Sequence, residues 1–238
     1  MILRFHRWLV VALFFLSGIA QADGFGINAT RLIYPEGTRS ISVSLRNTSS
    51  QVNYLVKSAV SQDQREFIAA NFSVTPPLFR LEAESTNQVR ITYLGDAGLP
   101  QDRESVFYFQ AMAIPGSKSP GGEINGVQNN AMVLFGIGST IKLFYRPKGL
   151  SGTSEQAQRN LQFLYTAQGL KVTNPSAYFV SLNNVSSNGK SLPLNEPAAL
   201  MIPPSGSYTW QVARSGGEVR WKTINDYGGV DSHVFSHP

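Results

Sequence analysis

"RSISVSLRN", residues 39–47, sets Ile41, Val43 and Leu45 at every second position, with Ser42, Ser44 and Arg46 between them. A period of two marks a strand with one buried face, because successive side chains leave a pleated backbone on opposite sides. The pattern spreads outward from there. In "NYLVKSAVS" (53–61) Tyr54 and Val56 take one face and Leu55 the other, and in "NQVRITYLG" (87–95) Val89, Ile91 and Tyr93 alternate with polar neighbours. "SVFYFQAMAIP" (105–115) is apolar nearly throughout, as a strand covered on both faces reads. "LQFLYTAQGLKVTN" (161–174), "YFVSLNNVS" (178–186), "YTWQVA" (208–213) and "VRWKTIND" (219–226) extend the series, with Gly, Pro, Asn and Ser in the gaps. Only a turn near Ser154–Arg159 reads as helical. Many short strands at this spacing predict an all-β sandwich or barrel.

The start of the chain is different. "MILRFHR" is positively charged, "WLVVALFFLSGIA" is apolar, and Ala20-Gln21-Ala22 has the small-x-small form of a cleavage site. Residues 1–22 therefore read as a secretory signal peptide, and no later stretch is long and apolar enough to span a bilayer. Removing Arg4 and Arg7 with the leader takes the 20 basic residues to 18 against 15 acidic ones, a mild positive excess. No run of Lys or Arg points to nucleic acid. The remaining chain of about 216 residues has room for one large or two small domains. "RPKGLSGTS" (146–154) is the best boundary, since a proline stops one strand and glycines and small polar residues follow. It divides the mature chain into 23–147 and 148–238, each long enough for an immunoglobulin-like sandwich of roughly seven strands.

Composition also narrows the chemistry. There is no cysteine, so neither a disulfide framework nor thiol chemistry is available to an exported chain. The three histidines stand at 6, 233 and 237, which leaves a metal site or a catalytic triad almost nothing to draw on. Ser139 and Lys142 match S-x-x-K, but that pair needs one face of a helical turn, and on a strand positions three apart point to opposite faces. Asp102 and Glu104 lie two apart on one strand face, and each reads as one side of a salt bridge to a basic residue more readily than the two read as an acid/base pair.

"MVLFGIGSTIKLFYRP" (132–147) carries the sharpest question, because Lys142 sits in the middle of an oily strand. Val133, Phe135 and Ile137 fall in one row, and Met132 and Leu134 in the other. Such a strand is either central in a sandwich or has a face waiting for a partner, since a bare apolar edge invites aggregation unless strand addition is its purpose. Periodicity does not separate the two.

Five blocks carry a resemblance: "TRLIYPEGTRSISVSLRNTS" (30–49), "DRESVFYFQAMAIP" (102–115), "IKLFYRP" (141–147), "NPSAYFVSL" (174–182) and "INDYGG" (224–229). In their order they resemble the PapD-like periplasmic pilus chaperones through nearly the whole mature chain. The resemblance implies two immunoglobulin-like β-sandwiches set at an angle in a boomerang, with the working cleft between them. It implies a periplasmic, non-enzymatic protein without a cofactor, which binds pilus or fimbrial subunits that lack a strand. The chaperone lends its own strand and passes the cargo to an outer-membrane usher.

By the same resemblance Arg31 and Lys142 anchor the C-terminal carboxylate of the bound pilus subunit, and Val133, Phe135 and Ile137 form the donated row. Glu104, Arg146 and Asp226 would link the two domains. Self-association of the free chain is an expected way of hiding the row. Loop 116–131 has the length of the long-loop branch but lacks the disulfide common there, so the subfamily stays open. Two alternatives are a secreted adhesin and an exported hydrolase. The first would need an extended donor segment at its start, the second a nucleophile with a base.

Overall fold

The computed structural model describes residues 24–236 apart from 69, 96–97, 117–134 and 214–216. Two units follow one another, each with its own hydrophobic core. In the first, a four-stranded sheet runs in the order β1 (Phe25–Ile27), β3 (Ile41–Asn47), β7 (Ser85–Tyr93), β5 (Phe72–Thr75). Facing it is a five-stranded sheet in the order β2 (Arg31–Pro35), β9 (Ile137–Arg146), β8 (Ser105–Pro115), β4 (Tyr54–Ser61), β6 (Leu78–Leu81). All pairings here are antiparallel except that of β2 with β9, which is parallel.

The alternation in β3 does what its pattern requires. Val43 and Leu45 are buried in the first core, against Val89 and Ile91 from β7 and Val56, Val60, Phe107 and Phe109 from the opposite sheet. Asn47 continues the buried row as a polar residue and is satisfied: its Nδ2 donates to the carbonyls of Val52 and Glu82, and its Oδ1 accepts from the Ser49 amide.

The second unit repeats the plan. Strands β10 (Gln162–Thr166), β11 (Gly169–Thr173) and β15 (Ser207–Trp210) form one sheet. The other runs β13 (Lys190–Ser191), β12 (Val180–Ser187), β16 (Glu218–Ile224), β17 (Val230–Ser236), with β14 (Met201–Ile202) also paired to β12. Trp210, Trp221, Phe163, Leu170 and Val185 fill the space between them. Gly169 ends the tight β10–β11 connection at φ +130°, where a side chain's Cβ would stand 2.0 Å from the Trp210 carbonyl oxygen.

The helical turn read near Ser154–Arg159 is present as α1 over those residues. Thr153 and Gln156 close its N-terminus by bonding each other's backbone amides. A second short helix, α2 (Pro197–Leu200), was not legible in the pattern. One expectation is corrected. Strand β8 is not covered on both faces along its length, because Met112 and Ile114 on its outer face are 41% and 38% exposed.

Leu45 is fully enclosed, so Leu45→Ala is expected to cost about 2–5 kcal/mol, read as a lower urea midpoint at unchanged slope. Leu164→Ala, at a side chain 57% exposed, should change stability by no more than about 0.5 kcal/mol.

Candidate functional site

Parallel pairing of β2 with β9 sets Arg31 directly opposite Lys142 in the register. Two cations 111 positions apart in the chain thereby become neighbours on one sheet face. Arg31 is 9% exposed, and its Nη1 donates to the Ile224 carbonyl of the second sandwich at 2.7 Å. Its guanidinium carbon stands 5.7 Å from the centre of the Phe144 ring, and its Nε has no partner among the described residues. Burial lowers the Arg31 pKa, against the charges of Asp226 and Glu104. The Lys142 ammonium forms no hydrogen bond or ion pair among the described residues. Burial, and then the charge of Arg31, push its ammonium down to about 8.

The open edge begins at this pair. Strand β8 flanks β9 over residues 137–145 on one side, whereas β2 flanks it only over 142–146 on the other. Residues 137–141 are therefore an edge, with no paired strand on their second side among the described residues. The face of β9 that carries Leu143 and Tyr145 into the first core also carries Ile141, partly buried against it. Farther out the row leaves the sandwich, and Ile137 is 42% and Phe135 78% exposed. Val133 lies outside the described residues.

The opposite face of this end was not anticipated. Leu55, Leu78, Met112 and Ile114 stand exposed there, beside Gly136 and Gly138, which present no side chain. They come from three different strands, one or two from each, and only the pairing shows that they meet. Ser139 and Lys142 point to opposite faces of β9, so no S-x-x-K dyad forms. Among the described residues no cluster of three or more His, Asp or Glu is placed to hold a metal ion.

Glu104, Arg146 and Asp226 do come together, across the two sandwiches. Arg146 Nε donates to Glu104 Oε1 at 2.7 Å, while Nη1 and Nη2 reach the two Asp226 oxygens at 2.8 and 3.1 Å. The planar guanidinium thus holds one acid end-on and the other in a two-point grip, a geometry a lysine could not supply. The second sandwich adds residues that the sequence did not single out. The Phe179 amide donates to Glu104 Oε2 at 2.8 Å, the Ser154 hydroxyl to Asp226 Oδ1 at 3.0 Å, and the Tyr178 ring lies 5.1 Å from the Arg146 guanidinium carbon.

Burial pushes the Glu104 carboxyl up, against the pull of Arg146 and the Phe179 amide. Burial would also raise Asp226, but the hydrogen bonds and charge of Arg146 outweigh it and hold the carboxyl below its ordinary value. Asp102, by contrast, sits on an exposed bend outside β8 and pairs with Arg103. It does not share a strand face with Glu104.

Arg146→Ala leaves Glu104, whose side chain is 2% exposed, buried without its cation, at an expected cost of about 3–5 kcal/mol in thermal or urea unfolding. Adding Glu104→Gln should restore part of that loss. No restoration would place the cost at Tyr178 and Asp226 instead.

Comparison with known proteins agrees with this architecture. Residues 24–151 match the family model described as the pili and flagellar-assembly chaperone PapD N-terminal domain, and 156–235 match the pili assembly chaperone PapD C-terminal domain. The chain is 35% identical over 232 residues to the chaperone protein FocC of Escherichia coli, covering 95% of this chain and 96% of that one. To the Escherichia coli K12 chaperone protein FimC it is 33% identical over 216 residues, 90% and 84% of the two chains. Among solved structures, the periplasmic chaperone SfaE superposes with a TM-score of 0.71 at 33% identity, over 88% of this chain and 97% of that one. A structure of the Salmonella enterica SafA pilin in complex with the SafB chaperone matches with a TM-score of 0.74 at 31% identity, over 91% and 98%. The chain belongs to the PapD family of pilus-assembly chaperones.

Proposed function

We propose that this chaperone captures pilus subunits in the periplasm by lending them the open edge of β9, and then delivers them to an outer-membrane usher. The observation that carries this reading is the continuity of the edge at 137–141 with the Arg31–Lys142 pair. A terminal carboxylate placed between two cations gains charge-assisted hydrogen bonds in a partly dry cleft. With its end fixed there, the rest of the incoming segment lies along 137–141 in the space where β2 has not yet begun. Such a segment runs in the same direction as β2, parallel to β9. Its backbone pairs with the edge while Phe135 and Ile137, and Val133 beyond them, enter the open core of the cargo.

Full burial of each such side chain is worth roughly 1.5–3 kcal/mol. The carboxylate sets the register, which matters because a slip of one residue would turn the apolar row to the wrong face. Leu55, Leu78, Met112 and Ile114 lie on the same face of the sheet as Lys142 and add apolar surface across β9 from the captured strand. Glu104, Arg146 and Asp226 hold the two sandwiches at the angle that forms the cleft. A boundary near 147/148 and cleavage after Ala22 complete the reading.

Co-expression with candidate pilins tests it. A pilin should accumulate and co-purify with the intact chain, and its yield should collapse with Lys142→Ala and with Arg31→Ala. Equal yields in all three would remove the anchor, and failure of any pilin to co-purify would favour a secreted adhesin.

The anchor also predicts a pH dependence. A bound carboxylate favours charged Lys142, so binding takes up a proton wherever the free lysine is partly neutral. With Lys142 titrating at about 8, roughly a tenth of it is charged at pH 9, and affinity for a peptide ending in a pilin's last residues should fall up to about tenfold between pH 7 and 9. Calorimetry on the free-acid peptide measures this. Lys142→Arg should flatten the profile, and the peptide amide should bind weakly throughout.

A further inference from the structure

Asp226 is held from two sides. Arg146 reaches it from the first sandwich, and Ser154, the first residue of α1, reaches it from the second. One turn farther along α1 is Gln158, which is 3% exposed although glutamine is seldom buried. Its polar groups are engaged. Oε1 accepts from the Thr223 hydroxyl at 2.7 Å, Nε2 donates to the Ser154 hydroxyl at 3.4 Å, and its backbone carbonyl accepts from Trp221 Nε1 at 3.0 Å.

Thr223 is fully enclosed on β16, three residues before Asp226. Because its hydroxyl proton goes to Gln158, it accepts from His233, 3.0 Å away, which must present Nε2–H. The donors therefore run in order from His233 to Thr223 to Gln158, and from the Gln158 amide to Ser154 to Asp226. The link from Gln158 to Ser154 is the long one.

A six-residue helix cannot hold its own position by propensity. Ala157 and Leu161 already pack this segment against the second core. A buried amide adds nothing to that packing and is costly unless its bonds are made. What it supplies is direction, since it turns the Ser154 hydroxyl toward the carboxylate.

We propose that Gln158, braced by Thr223, is a positioning residue for the interdomain clamp, aiming Ser154 at Asp226 and so fixing the carboxylate that Arg146 grips. The proposal rests on the reading of Glu104, Arg146 and Asp226 as the clamp that sets the cleft. The charges that act on Asp226 include Arg146, its direct partner, and Arg31, both from the first sandwich, while Glu155 and Arg159 of α1 and His233 of β17 line the same cavity. Glu104 lies across Arg146, and Asp231 beyond Asn225, which donates to it.

The test is a carbon-13 NMR titration of the Asp226 carboxyl in the full chain, run beside a pilin-capture assay. Gln158→Met and Thr223→Val should both make Asp226 titrate at higher pH than the parent, and Thr223→Ser, which keeps the hydroxyl, should restore the parent value. A depressed carboxylate stabilises the fold above its unfolded value and loses that contribution as pH falls through its folded value, so acid unfolding should move to higher pH in the same two variants. Should Gln158→Met not fold, the isosteric Thr223→Val carries the test alone. An unmoved Asp226 in the folded variants overturns the proposal, and so does a shift seen with Ser154→Ala but with neither of the others. If Arg146→Ala captures pilin as well as the parent does, the clamp reading itself has failed, whatever Asp226 does.

Discussion

The working surface depends on one pairing, the parallel alignment of β2 with β9. Had β2 continued the antiparallel order of the first sandwich, Arg31 would have been placed elsewhere in the sheet. Parallel alignment from Arg31 to Pro35 instead brings that cation beside Lys142 and leaves the preceding five residues of β9 as an edge. Anchor and edge are thus two consequences of where β2 begins. An exposed edge with an apolar row is a hazard in an ordinary sandwich. Here it runs into two adjacent cations, which in the proposed function give an incoming chain both a direction and an end point.

The joint between the sandwiches is built from different material. It is polar and partly buried, with Arg146 at its centre and acids on both sides. Charged groups in such a place stabilise little beyond the cost of desolvating them, but they accept few geometries. An apolar interface of the same size would tolerate sliding. The two-point grip on Asp226 and the end-on bond to Glu104 make orientation, more than adhesion, the property supplied. Phe144 and Phe179, with ring centres 5.7 Å apart, add the apolar contact beside it.

Much of this was legible in the sequence. Period-two runs such as Ile41–Val43–Leu45 identify strands because burial selects every second residue, which gave an all-β sandwich or barrel, and the resemblance supplied the two-sandwich plan. The roles expected of Arg31 and Lys142 came from the resemblance, and the structure brings the two residues together. What could not be read was pairing. The apolar run of β8 looked doubly covered, since a strand facing solvent and one facing a partner domain carry the same residues when the solvent face is itself apolar. The patch of Leu55, Leu78, Met112 and Ile114 draws one or two residues from each of three strands, so no single segment announces it. Ser154, Phe179 and Tyr178 were missed for a related reason: hydroxyl, amide and ring contacts across a domain joint leave no periodic trace. The helix at Pro197–Leu200 is too short to show a stripe.

The bond from Arg31 to the Ile224 carbonyl makes the same guanidinium belong to both sandwiches. In the proposed anchor, the residue that grips cargo is also a pin in the joint between the sandwiches. In that reading the hold on the anion and the contact between the sandwiches share one side chain, so a change at either is felt at the other. By thermodynamic reciprocity, whatever opens the joint loosens the cargo to the same degree that cargo stiffens the joint.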